Sequence, residues 1–237
     1  MRAAASFAVL MLACLLAAPV AAQEKGPPTL TVAGEGIVAA RPDLATVSVG
    51  VVTQARNAQD ALAQNSKLTV ELIAAARQAG IAQRDLETQR ISLHPQYAQP
   101  PQGSREAPRI SGYEARNTLQ VRVRDLDKLG ALLDRLVTSG ANQIGGIALS
   151  VAEPRPLLDQ ARAAAVKEAL RKAELFADAA GLRIVRLLAL EEAGAEVPRP
   201  LMRLAAAPSR DRVAVPIEAG EQEFRAGVNA TFEVAPK

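Results

Sequence analysis

The sequence predicts an α+β fold: an antiparallel sheet with three helices packed on its apolar face, containing a ferredoxin-like split unit. Three observations carry this. Residues 115–124 and 223–234 alternate apolar and polar side chains with a period of two, the mark of strands with one buried and one wet face. Three stretches at helical spacing each end at a glycine (Gly80, Gly140, Gly181) and feed a strand. From 45 to 151 the predicted elements run strand, helix, strand, strand, helix, strand.

The chain opens with Arg2, an apolar run and small residues at Val20 and Ala22, the three parts of a secretory signal peptide. Cleavage after Ala22 is expected, so residues 1–22 form the leader and 23–237 one continuous domain. The run is short for a membrane span, and no second such run follows, so no integral span is expected after cleavage. A lipoprotein reading through Cys14 fits poorly, because Met11 stands three residues before it and Cys14 lies inside the apolar run. An uncleaved anchor is the remaining alternative.

Beyond residue 22 there is no cysteine, which removes disulfides and thiol chemistry. Basic and acidic side chains nearly balance, at 28 and 25 over the whole chain, and are interspersed. The aromatic residues past the leader are Tyr97, Tyr113, Phe176, Phe224 and Phe232. A nucleic-acid surface wants a basic stripe with stacking rings, so no nucleic-acid partner is expected.

Leu30 and Val32 begin the first strand, punctuated by Gly34, Gly36 and Pro42. Ala45, Val47, Val49 and Val51 form the inner face of the second. Residues 57–79 switch to a helical stripe of Ala61, Leu62, Leu68, Leu72, Ala75, Ala76 and Ala79. The strand at 86–93 is expected to turn Ile91 and Leu93 inward. Residues 95–110, with four prolines, read as a long exposed hairpin loop.

In the central unit, Ala115, Asn117, Leu119, Val121 and Val123 face the core. Asp125 is placed to cap a helix whose leucines recur at 126, 129, 132, 133 and 136, with Val137 beside them. Ile144, Ile147, Leu149 and Val151 start another strand. The longest helix, about 156–180, carries Ala161, Ala165, Ala169, Ala173, Phe176 and Ala180 along one side, and Glu168 with Lys172 in the favourable order. IVRLLAL adds a strand, 193–216 reads as a second long loop, and Phe224 to Val234 supply the last alternating strand. The third helix and these last strands are expected to extend the same sheet.

Several stretches together resemble the SIMPL-domain family of exported bacterial proteins, which includes periplasmic antigens and oxidative-stress defence proteins. They are GEGIVAARPDLATVSVGV, the helix with Asn65, GIAQRDLETQRISLHPQY, ISGYEARNTLQVRVRD, ARAAAVKEALRKAELFADAAGL and VPIEAGEQEFRAGVNATFEV. The resemblance spans nearly all the chain behind the leader and is weakest at 193–213. It implies a periplasmic α+β domain, oxidative-stress protection in some members, and homo-oligomeric rings in some. It supplies no catalytic residue.

The residues themselves offer little chemistry. His94 is the only histidine, and no cysteine past the leader could join it around a metal, so neither metal nor cofactor is expected. GEGIVA superficially matches a dinucleotide fingerprint, but Arg41, Pro42 and a strand follow where a helix is required. Those glycines are expected to serve a bulge or a close backbone approach instead. The outward row Arg116, Arg122 and Arg124 reads as a solvated face, with an anionic partner as the alternative. Met202, the only methionine past the leader, is a poor basis for oxidant scavenging.

With the resemblance, the reading is an exported, non-enzymatic protein that forms homo-oligomers and contributes to envelope and oxidative-stress defence, with envelope proteins as further partners. Sheet edges and the two loops are the candidate interfaces. A client-binding or holdase module is the second reading. An enzyme built on carboxylates such as Glu35, Asp43 and Glu114 is the third.

Overall fold

The structure, a computed structural model, describes residues 26–98, 107–198, 202–203 and 218–237. The predicted leader, 1–22, lies outside the described residues, as do parts of both predicted loops. The strands are β1 (Thr29–Ala40), β2 (Leu44–Ala55), β3 (Leu86–Ala98), β4 (Arg109–Val123), β5 (Gln143–Ser150), β6 (Leu182–Glu196), the two-residue β7 (Met202–Arg203) and β8 (Gln222–Pro236). The helices are α1 (Ala58–Gln78), α2 (Leu129–Thr138) and α3 (Pro154–Ala179). The class is α+β.

Among the described residues there are two antiparallel sheets rather than one: β1-β8-β6 and β3-β4-β2-β5-β7. After β1 the chain crosses through Arg41–Asp43 into the larger sheet, and α3 brings it back to the smaller one. β8 then pairs with β1 on one side and β6 on the other, so it is a middle strand. Period-two alternation reports which face of a strand is buried, not which strand lies beside it. The third helix and last strands therefore build their own layer.

In the five-stranded half, Ala45, Val47, Val49 and Val51 of β2 are fully buried beside Leu119, Val121 and Val123 of β4. Leu72, Ala75 and Ala76 of α1 and Leu129, Leu132, Leu133 and Leu136 of α2 complete that core. Asn57 caps α1, its Oδ1 accepting from Asp60 N at 2.8 Å. Gly80, at φ 90°, closes the helix: Gly80 N donates to Arg77 O and Ile81 N to Ala76 O. Gly140 does the same for α2, with Ala141 N donating to Leu136 O.

Some expected contacts differ. Residues 126–128 form a short 3-10 turn before α2, and the Asp125 carboxylate bonds chiefly to Lys128 Nζ at 2.7 Å instead of capping a helix. Val137 and Leu62 are exposed, while Asn65 and Thr69 take buried places on α1. Asn65 Nδ2 donates to Val51 O and Ala115 O, tying the helix to both central strands. Ile144 and Ile147 are three apart, so a plain strand would turn them to opposite faces. The β2–β5 register shifts between Ser48 and Val49, and Ile147 is buried while Ile144 stays partly exposed.

In the three-stranded half, α3 buries Ala161, Ala165, Ala169, Ala173 and Ala177. Ala177 continues the row; Phe176 and Ala180, expected along it, are exposed. Opposite lie Gly34 and Gly36. A Cβ on Gly36 would run into the Ala161 carbonyl oxygen and stand 2.5 Å from Ala165 N. One on Gly34 would run into the Ala165 carbonyl and stand 2.7 Å from Ala169 N. The glycines of GEGIVA thus serve a close helix–strand approach inside β1.

The outer strands differ from expectation as well. Ile91 and Leu93 do not turn inward; both are exposed, because β3 is an edge strand and almost none of it is covered. The hairpin strands also reach further than the composition suggests. Pro95 pairs with Tyr113 and Ala98 with Arg109, and an edge strand accommodates Pro95 without losing a ladder bond it needs.

Candidate functional site

The carboxylates that an enzyme would need stand apart. Glu35, on β1, accepts from Arg225 of β8 at 3.0 Å. Asp43 accepts from Ala152 N at 2.7 Å and its own N–H donates to Ser150 O, locking the crossing between the halves. Glu114 accepts from Gln54, Gln96 and Arg116, each at 3.0 Å. It sits opposite Gln54, eleven residues along β2 from Asp43, or about 35 Å at strand rise. Hydrogen bonds from Gln54, then Arg116, hold the Glu114 carboxyl below its ordinary range. It is an ionised clamp between neighbouring strands, with no proton to donate near neutral pH.

His94 lies exposed on β3, opposite Glu114 in the register. Among the described residues, no group of three His, Cys, Asp or Glu side chains is placed to hold a metal ion. The outward arginines are laced to carboxylates: Arg116 to Glu114 at 3.0 Å, Arg122 to Glu87 at 3.6 Å, and Arg124 to Asp85 through two bonds of 3.0 and 3.2 Å. The Arg124 fork is the main reason that the buried Asp85 carboxyl is held below its usual value.

The edges present a different surface. β6 borders the three-stranded sheet, and its Val185, Leu187, Leu188 and Leu190 are each more than 40% exposed. Leu187 lies opposite buried Phe232, and Leu190 opposite buried Ala230, so both are on the helix-bearing face but beyond the cover of α3. Leu170, Leu175 and Phe176 of α3 are exposed too. The β6–β8 register shifts at three places along the strand. At the far side of the larger sheet, β3 exposes Ile91, Leu93 and Tyr97.

Sequence reasoning named sheet edges as interfaces but did not single out β6. Its signal was present: IVRLLAL is apolar except for Arg186 and lacks the strict alternation seen in β2, β4 and β8. Such a run ordinarily marks a strand covered on both faces. Here only its start is covered, by Ile184 against the core, and Val185, Leu187, Leu188 and Leu190 are left open.

Compared with known proteins, residues 30–232 match the model of the SIMPL family, described as "Protein of unknown function (DUF541)". The chain belongs to the SIMPL family. It is 37% identical over 243 residues to the 26 kDa periplasmic immunogenic protein of Brucella melitensis biotype 1, a match covering 98% of this chain and 96% of the relative. An uncharacterized protein YggE from Edwardsiella ictaluri is 32% identical over 71% of this chain and 70% of its own length. The Escherichia coli K12 protein of the same name is also 32% identical, over 64% of this chain and 60% of the relative. In this SIMPL chain the matched span takes in all three helices and nearly all of both sheets among the described residues. No helix among the described residues is long and apolar enough to cross a membrane.

Proposed function

We propose that this SIMPL-domain protein is exported to the periplasm behind a cleaved leader, self-assembles there without enzymatic activity, and contributes to envelope and oxidative-stress defence. The observation that carries the reading is the apolar edge strand β6, with Val185, Leu187, Leu188 and Leu190 open to solvent. An exposed apolar edge offers both backbone pairing and buried area to a second copy. Asp43 and Glu114 stand about 35 Å apart at strand rise, which argues against a site built on Glu35, Asp43 and Glu114 together. The name of the Brucella relative supports the compartment.

Native mass spectrometry of residues 23–237 at micromolar concentration tests the assembly. Oligomers are expected from the wild type, and a shift to monomer from Leu187→Asp with Leu190→Asp. Monomer alone from the wild type rejects self-assembly. Peroxide survival of a strain lacking the protein, restored by the wild type but not by the double variant, would tie assembly to defence. The same apolar surface also favours a client-binding holdase. A monomeric wild type that suppresses aggregation of an unfolded client would select that reading.

A further inference from the structure

At one end of the five-stranded half, α1 hands over to β3 and β4 hands over to α2, and the two turns enclose a cleft of about 500 Å³. That is within the usual range for small-molecule sites, roughly 300–1,000 Å³. Five basic side chains line it, Arg84, Arg122, Arg124, Lys128 and Arg135, against two carboxylates, Asp85 and Asp125. Both carboxylates are engaged. Asp85 is buried under the Arg124 fork, and Asp125 bonds Lys128 at 2.7 Å. Arg84 and Arg135 make no ion pair among the described residues, and Arg122 has only a 3.6 Å contact to exposed Glu87. Arg84 and Arg122 help to hold Asp85 below its usual value but form no bond with it, so the lining carries five cations against two carboxylates already paired with Arg124 and Lys128. Ile81, Ala82 and Ala131 contribute an apolar wall.

We infer that this cleft binds a phosphate monoester. Guanidinium forks match phosphate oxygens in pairs, and a dianion answers several converging cations better than a single carboxylate does. The apolar wall suits the organic body of the ester. The Arg124–Asp85 pair in the lining is already bonded before any ligand arrives, so binding need not order it. The family match assigns no ligand, and the proposed self-assembly uses other surfaces, so this inference stands or falls separately.

Calorimetric titration of residues 23–237 with glycerol phosphate at low salt gives the primary readout, and sedimentation with phosphatidic-acid vesicles, against phosphatidylcholine vesicles, gives the second. Binding of the soluble probe identifies a free ester as the ligand. Binding only to phosphatidic-acid vesicles identifies a lipid headgroup. Arg84→Glu with Arg135→Glu should weaken whichever binding is seen by about tenfold or more, as expected for lost charge-assisted bonds. Both side chains are exposed, so the double variant should still fold, with melting lowered only slightly by the loss of Arg84 near Asp85 and of Arg135 in the last turn of α2. Arg155→Glu on α3, an equal change of charge per site, should leave binding as it was. No binding to either probe overturns the inference. So does an equal loss from Arg155→Glu, or affinity untouched in the double variant.

Discussion

In the five-stranded half, leucines of α1 and α2 reach into the valines of β2 and β4, and the helices stand off the sheet by the depth of those side chains. In the three-stranded half, alanines of α3 meet glycines of β1, and the helix backbone comes nearly into contact with the strand. Lys172 Nζ even donates to the Ala33 carbonyl at 3.0 Å. Both halves bury an apolar helix face on an antiparallel sheet, yet they are vulnerable to opposite changes. A core filled by large side chains is harmed by removing atoms, and one closed by backbone contact is harmed by adding them.

The largest expected effect breaks the three-stranded half. Gly36→Val places branched carbons where the Ala161 carbonyl already sits, and backbone cannot rotate aside as a side chain can. A loss above about 4 kcal/mol is expected, measured by urea melts or seen as failure to fold. Near-wild-type stability would show that α3 lifts freely and that the contact is incidental. Leu133→Ala in the other half removes a side chain that is 2% exposed and should cost about 3 kcal/mol. The contrast sharpens if Ala165→Gly, which only removes a methyl from the tight half, costs clearly less than Leu133→Ala.

A smaller effect comes from Asp85→Asn, which breaks the fork with half-exposed Arg124 and should cost about 1–2 kcal/mol at neutral pH. Because the folded-state value of Asp85 is depressed, its contribution is present above its unfolded value and is lost as pH falls through the folded one. The stability gap between wild type and Asp85→Asn should therefore close below about pH 4. A gap that stays constant to strong acid would show that the carboxylate charge is not what matters. Arg122→Ala, on the wet face with only a long contact to Glu87, should change stability by less than about 0.5 kcal/mol.

Much of the fold was legible because a strand with one covered face must alternate. The inward sets read for β2, β4 and β8 are all buried, from Ala45 through Val123 to Val234, although Thr53 at the end of the β2 set was missed. The alanine row of α3 and the helix-ending glycines were legible for the same kind of reason: spacing and φ are local properties. Ile91, Leu93 and Phe176 were misplaced because each is apolar at a plausible position but lies beyond its neighbours' cover. Asn65 and Thr69 interrupt an apolar stripe, and only the strand carbonyls above Asn65 explain its place in the core. At the candidate site, the arginine row was visible, but its carboxylate partners Glu87 and Asp85 come from another strand and a distant turn.

By itself the sequence determined the α+β class, the buried face of each central strand, and the points where helices stop. These depend on periodicity, propensity and backbone freedom within a few residues. Only the tertiary structure decided that there are two sheets, that β6 is left open, and that Arg84, Arg122 and Arg135 meet around one cleft. Those outcomes depend on which strands become neighbours and which edges remain uncovered, and pairing across more than a hundred residues leaves no local mark on the residues that make it.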